Sequence, residues 1–298
     1  MIYPAVMVIM LAEQLLQEDH KTRGRRRNVR SVPRPFLKWV GGKTKLLPAF
    51  EALLPQSWGR YFEPFVGGGA MFWRNCEDEA VLNDANPDLA ITYRVVKNDV
   101  DSLIEALGEH YYDKDHYYEV RARDPKTMSA PARAARMIFM NRTGFNGLYR
   151  VNKSGRFNVP FGRYKDPLIC DEPNLRACSE RLATTELREG DFEDAVKDAV
   201  EGDFVYFDPP YAPLSRSSNF TSYVAGGFGP EEQQRLRELL GSLDARGVNF
   251  MMSNSDAEGL ADAYTSDGWN VSRVMASRSI NSKASRRGKI NELVIRNY

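Results

Sequence analysis

The sequence predicts an α/β fold, a sheet covered by helices on both faces. Three observations predict it. Short apolar runs at residues 60–66, 80–84 and 203–208 each end abruptly in a glycine, acidic or proline turn, as buried strands do. Helix-length stretches with start signals lie between and after those runs. The chain is also long enough, at 298 residues and 42% hydrophobic, to bury a sizeable core.

Taken in order, residues 60–66 and 80–84 read as the first strands, and residues 87–97 as a helix opening with proline. Residues 130–140, 173–183 and 230–245 read as further helices, the last opening with Pro-Glu-Glu, a combination suited to a first helical turn. Residues 203–208 form a strand closed by two prolines, and residues 248–253, 270–275 and 290–295 look like later strands. Alternating strands and helices place ligands at the carboxyl ends of the strands.

Residues 141–165 break this rhythm. Gly144, Gly147, Gly155, Gly162 and Pro160 are spaced among aromatic and basic residues, a pattern of hairpin and loop and not of core. With the helical region that begins near Asp99, this stretch is expected to form a smaller insertion. The domains are then residues 33–98 and 166–298 around an insertion at 99–165, preceded by a flexible extension at 1–32. The apolar start of that extension contains Glu13 and is followed, not preceded, by basic residues, which suits neither a membrane span nor a secretory signal.

Net charge is only +1, but the basic residues are segregated. Residues 21–45 hold ten, 133–165 hold eight and 273–289 hold six, together 24 of the 41, and none of these segments contains an acid. A basic face on an otherwise acidic body is the footprint of a polyanion partner. Cys76, Cys170 and Cys178 match neither a disulfide framework nor a metal motif, which suits packing roles in a reducing compartment. His20, His110 and His116 are expected on the surface, with no metal centre.

The chemistry concentrates in a few loops. Asp208-Pro209-Pro210-Tyr211 follows a strand and would project from the sheet edge. The exocyclic amine of a nucleobase is a weak nucleophile, because its lone pair is delocalised into the ring. The Asp208 carboxylate and the Pro209 carbonyl could accept its two hydrogens and favour a tetrahedral, reactive nitrogen. The prolines stiffen the loop, and Tyr211 offers a face to a base taken out of the stack.

The loop from Glu63 to Ala70 reads Glu-Pro-Phe-Val-Gly-Gly-Gly-Ala, and its glycines admit close approach of a ligand. It is not the dinucleotide fingerprint, since Phe72 stands where the last glycine belongs. Asp84, some 20 residues on, could accept both hydroxyls of a ribose or could cap the following helix. Gly42-Lys43-Thr44 is not a phosphate loop, because Leu37 occupies the position of the required first glycine.

These motifs, in this order, resemble the Dam family of DNA adenine methyltransferases over residues 33–298. Phe36-Leu37-Lys38-Trp39 with Gly41-Gly42-Lys43 resembles the family's amino-terminal cofactor motif, and the glycine loop, Asn83-Asp84-Ala85-Asn86 and Asp208-Pro209-Pro210-Tyr211 follow it. Residues 141–150 and 156–164 are similar to the family's DNA-reading hairpin, and their position before Asp208 marks the α group.

The resemblance implies a Rossmann-like methyltransferase sheet with a helical and β-hairpin DNA-recognition insertion. It further implies transfer of a methyl group from S-adenosylmethionine to N6 of a flipped adenine in duplex DNA. Trp39, Lys43, Phe65, Asp84, Asp191, Phe192 and Asp208 would bind the methyl donor, with Lys43 on its carboxylate and Phe192 against its adenine. Asp208, Pro209, Pro210 and Tyr211 would act on the amine. On the DNA, Arg150 would read a guanine, Phe145 would enter the opened stack, Asn146 would face the orphaned base, and Lys38, Leu148 and Pro160 would make further base contacts. By the same analogy the site is GATC, and the enzyme is a monomer acting in a bacterial cytoplasm. Phe145 departs from the tyrosine of some relatives, and Arg286 and Arg287 fall in a segment resembling a phosphate-contacting loop. Two other readings remain open: an RNA or protein-glutamine methyltransferase, and a silent DNA-binding regulator.

Overall fold

The computed structural model describes residues 32–76, 79–152, 154–211, 228–277 and 289–298. The amino-terminal extension up to residue 31, and Arg286 and Arg287 with their neighbours, lie outside the described residues. The described residues form seven strands: β1 (Tyr61–Glu63), β2 (Ala80–Asp84), β3 (Thr185–Glu189), β4 (Phe204–Phe207), β5 (Asn249–Ser255), β6 (Asn270–Ser277) and β7 (Lys289–Arg296). They form one sheet in the order β3-β2-β1-β4-β5-β7-β6. All neighbours pair in parallel except β7, which runs antiparallel to both β5 and β6.

Alternation along the strands explains why both faces are covered. Tyr61, Phe204, Tyr206 and Met251 point into one apolar cluster, with Phe50, Leu89 and Leu182. Their chain neighbours Phe62, Val205, Phe207, Phe250 and Met252 point into the other, as the two-residue period requires. The first face is closed by α1 (Leu47–Glu51), α2 (Ala70–Asn75), α3 (Pro87–Asn98) and α7 (Glu172–Leu182). The second is closed by α8 (Phe192–Ala195), α9 (Pro230–Ala245) and α10 (Leu260–Ser266).

Most expected elements are present within a residue or two. Absent from the sequence reading are the short helices α1, α2, α8 and α10 and, among the strands, the edge strand β3. It reads Thr-Glu-Leu-Arg-Glu with only Thr185 buried, so no apolar run announces it. Between α3 and α7 come α4 (Val100–Gly108), α5 (Lys114–Ala122) and α6 (Ala130–Thr143). Leu103, Leu107, Ala134 and Ile138 of these helices join the first cluster.

Residues 141–165 carry a short hairpin, with antiparallel bridges pairing Gly144 with Phe161 and Val151 with Phe157. The hairpin agrees with expectation, but contrary to the expectation of no core, Tyr149 and Val159 are buried, because Tyr149 stacks on Trp39 and the Val159 carbonyl accepts from Tyr117 and Arg121. The histidines also differ from expectation. His116 is buried, and its ring meets His110 with Nε2 and Nδ1 3.1 Å apart. Burial and the neighbouring ring push His110 down to about 4. His20 lies outside the described residues.

Candidate active site

The carboxyl ends of β1, β2, β4 and β5 open on one edge, and the strand order reverses between β1 and β4, where ligands of such sheets bind. One cavity of about 760 Å3 lies there. Trp39, Lys43, Phe65, Asp84, Asp191, Phe192, Asp208, Pro209, Pro210 and Tyr211 all line it. Residues spread over most of the chain are thus brought to one place.

The glycine loop forms its floor. Gly67 and Gly69 have φ of +48° and +66°, a left-handed region that favours glycine. A side chain at Gly67 would also sit 2.5 Å from Trp39 Cδ1. The Gly67 and Gly68 carbonyls accept from Tyr93 Oη at 3.1 Å and Trp73 Nε1 at 3.0 Å. Buried Asn83 donates to the Pro64 and Gly190 carbonyls, tying the loops after β1 and β3 together. Gly67→Ala should therefore cost about 1–3 kcal/mol of stability from backbone strain alone, read by urea unfolding. An unchanged midpoint would mean that the backbone at residue 67 can leave the left-handed region without cost.

Asp84 is not a helix cap. Asn86 caps α3, its side chain accepting from the Asp88 and Leu89 amides. The Asp84 carboxylate accepts from Gly67 N at 3.1 Å and Asn86 N at 2.9 Å. Burial outweighs these two donors and pushes it up to about 6. Across the cavity, Phe65 and Phe192 stack at 5.4 Å with Phe228 edge-on to Phe65. Arg235 lies 5.0 Å from the Phe192 ring centre and pairs with Asp191 and Glu193.

Asp208 stands just beyond β4. Lys43, only 3% exposed, approaches its two oxygens at 2.7 and 2.8 Å and donates also to the Gly41 carbonyl at 2.6 Å. Ser253 Oγ donates to Asp208 Oδ1 at 2.9 Å, and Tyr206 Oη lies 3.1 Å from Ser253 Oγ. Glu63 lines the same cavity and accepts from Tyr61 Oη. Burial pushes its carboxyl up to about 8, so it is largely protonated at neutral pH.

The residues expected on DNA divide into two sets. Lys38 and Asn146 line the cavity with Gly147. Phe145, 48% exposed, sits beside Asn146, whose φ is +56°. Leu148, Arg150 and Pro160 lie on the hairpin outside the cavity wall, Arg150 and Pro160 being exposed. The Phe145 amide donates to the Pro160 carbonyl at 2.9 Å, which holds these two together.

Several site residues were missed in sequence. Buried Asn141 accepts from the Lys38 amide and donates to the Lys38 and Gly147 carbonyls, clamping the amino-terminal motif to the hairpin. Ser253 had a visible signal, the polar run Ser253-Asn254-Ser255 inside an apolar strand, and all three are buried. Arg235, Phe228 and Glu292 gave none.

Comparison with known proteins agrees with this arrangement. Residues 39–280 match the model of the D12 class N6 adenine-specific DNA methyltransferase family. The chain is 46% identical over 273 residues to the type II methyltransferase M1.LlaDCHI of Lactococcus lactis subsp. cremoris, covering 89% of this chain and 95% of that one. It is 43% identical over 289 residues to the type II methyltransferase M.MjaIII of Methanocaldococcus jannaschii, covering 89% and 99%. It is 36% identical over 265 residues to the DNA adenine methylase of Escherichia coli, covering 88% and 94%. With a family model spanning the glycine loop, the hairpin and Asp208 alike, the chain belongs to the D12 class N6 adenine-specific DNA methyltransferases.

Proposed function

We propose that this enzyme methylates N6 of an adenine turned out of duplex DNA within GATC, residues 99–165 reading the sequence and residues 33–98 and 166–298 performing the transfer. Family membership implies S-adenosylmethionine as methyl donor. The observation that carries the reading is the single cavity into which the glycine loop, Asp84, Phe192, Asp208 and Asn146 all open. Its glycine floor leaves no room for side chains, Asp84 offers two oxygens to a ribose, and Phe65 and Phe192 offer faces to an adenine. These features suit a nucleoside with a short charged tail.

When bound, the donor supplies a sulfonium-borne methyl group, which an unshared nitrogen pair can take by in-line attack. The protein's task is to present that pair. Asp208 and the Pro209 carbonyl would accept the two amine hydrogens, and Tyr211 would stack on the base. Asp208 now accepts from Lys43 and Ser253, so an amine would share Oδ2 with Lys43 or take it over. A donor carboxylate beside Lys43 would draw the ammonium that way.

The test is digestion of plasmid from expressing cells. GATC sites should resist a nuclease blocked by adenine methylation and become sensitive to one that requires it. Labelled methyl incorporated into DNA without that change would move the site away from GATC. No incorporation would favour the silent regulator, and incorporation into RNA or protein alone would favour the other rival.

Asp84 adds a pH dependence. An acceptor of ribose hydroxyls must be ionised, and its carboxyl sits at about 6. Donor affinity should therefore be full well above that value and fall as pH drops through it, by up to about tenfold per pH unit. Asp84→Asn should weaken donor binding by about 1.5–3 kcal/mol and flatten the profile. Calorimetry giving equal slopes for parent and variant would remove Asp84 from donor binding.

A further inference from the structure

The hydroxyl of Tyr211 makes an interaction that stacking on a base does not require. Its Oη donates to Glu292 Oε2 at 2.6 Å, a short bond of the charge-assisted kind. Glu292 lies on β7, opposite Ser255 of β5 and Val274 of β6, and is only 9% exposed. Burial, and then the Asp208 charge, hold the Tyr211 hydroxyl well above its ordinary value, so Tyr211 stays the donor in this bond. The arrangement has a geometric consequence. A tyrosine turns about two bonds, and the para hydroxyl lies on the axis of the second, so anchoring it fixes where the ring stands and leaves only rotation about that axis. Lys43 Nζ, 4.8 Å from the ring centre, bears on the same ring, so Glu292 sets the ring's position and the cation bears on its face.

We propose that Glu292 is a positioning residue for methyl transfer: through the Tyr211 hydroxyl it holds in place the ring on which the extruded adenine stacks, without touching the base itself. This rests on the reading of Tyr211 as the stacking surface. It also gives the antiparallel strand β7 a part in the chemistry, although it carries none of the linear motifs.

The experiment measures single-turnover methylation of a duplex with one GATC, and the fluorescence of 2-aminopurine at the target position, which stacking quenches. Tyr211→Phe keeps the ring and loses the hydroxyl, whereas Glu292→Gln keeps an acceptor oxygen. Tyr211→Phe and Glu292→Ala should each slow the single-turnover step by about fivefold to tenfold, with brighter 2-aminopurine, and the double variant should be no slower than either, because both remove one interaction. Glu292→Gln should recover most of the rate. If the two losses multiply, or Tyr211→Phe keeps the parent rate, the inference is overturned. Tyr211→Ala separates the two levels: full activity there removes the stacking reading itself, while a loss there with Tyr211→Phe unaffected removes only Glu292. Should Glu292→Ala fail to fold, Tyr211→Phe still decides.

Discussion

Asp208→Ala should abolish methylation, lowering the single-turnover rate constant by about a thousandfold, the scale of a preorganised group acting at the reacting atom. Duplex binding should survive, because the exposed cations Arg150, Arg156, Arg163 and Lys165 lie outside the cavity wall. The physical reason is specific to the amine. Its lone pair becomes available only when both hydrogens are held out of the ring plane, and alanine removes one of the two acceptors. Pro209 still offers its carbonyl, so the base can bind but its nitrogen stays conjugated.

The same substitution leaves Lys43, 3% exposed, without its carboxylate, and removing one partner of a buried pair costs about 3–5 kcal/mol. A loss of activity must therefore be distinguished from a loss of fold. Asp208→Asn provides the control, since one carboxamide oxygen can still accept from Lys43 and Ser253 or from the amine. It should retain more activity than alanine at equal or better stability. Filter binding of labelled duplex, thermal melting and labelled methyl transfer together make the comparison. An Asp208→Ala rate within about tenfold of the parent would falsify the catalytic assignment.

What could be read from the sequence were the parts whose chemistry is local in the chain. Asp208-Pro209-Pro210-Tyr211 and the glycine loop each follow a strand, so the strand's direction alone aims them at the carboxyl edge. Asp84 was ambiguous until the structure showed Asn86 doing the capping. Glu292 reaches the site only through the insertion of β7 between β5 and β6, and Arg235 through the packing of α9 beside Phe192, neither of which a local pattern encodes. Charge segregation pointed to a polyanion partner but not to which cations stay free for it: Arg133 pairs with Asp88, Arg273 with Asp256 and Lys43 with Asp208. Buried Arg136 donates to the Val120 and Arg121 carbonyls. Partners from distant segments consume these cations, and Arg150, Arg156, Arg163 and Lys165 are left exposed.

Among those exposed cations Arg150 is the one held in a fixed direction, and the second large effect is expected there. Its Nε donates to Asn158 Oδ1 at 2.6 Å and its Nη2 to the Asn158 carbonyl at 3.3 Å. The Asn158 amide returns a bond to the Arg150 carbonyl at 3.0 Å, so both residues belong to one hairpin rung. A guanidinium pinned along one edge presents its outer N–H groups as a pair, the geometry that matches O6 and N7 of guanine. A phosphate contact would need no such pinning, since it positions without specifying. Arg150→Ala should therefore cost about 1–3 kcal/mol on GATC and little on duplexes already altered at the guanine it reads. Asn158→Ala should act in the same direction but less, by freeing the guanidinium without removing it. Alanine at Arg286 or Arg287 should instead weaken every duplex alike and reduce the salt slope by about one unit per lost phosphate contact. The measurement is binding and single-turnover methylation over all single substitutions of GATC at two salt concentrations. Equal weakening of every duplex by Arg150→Ala would make it a phosphate anchor and remove the hairpin from sequence reading.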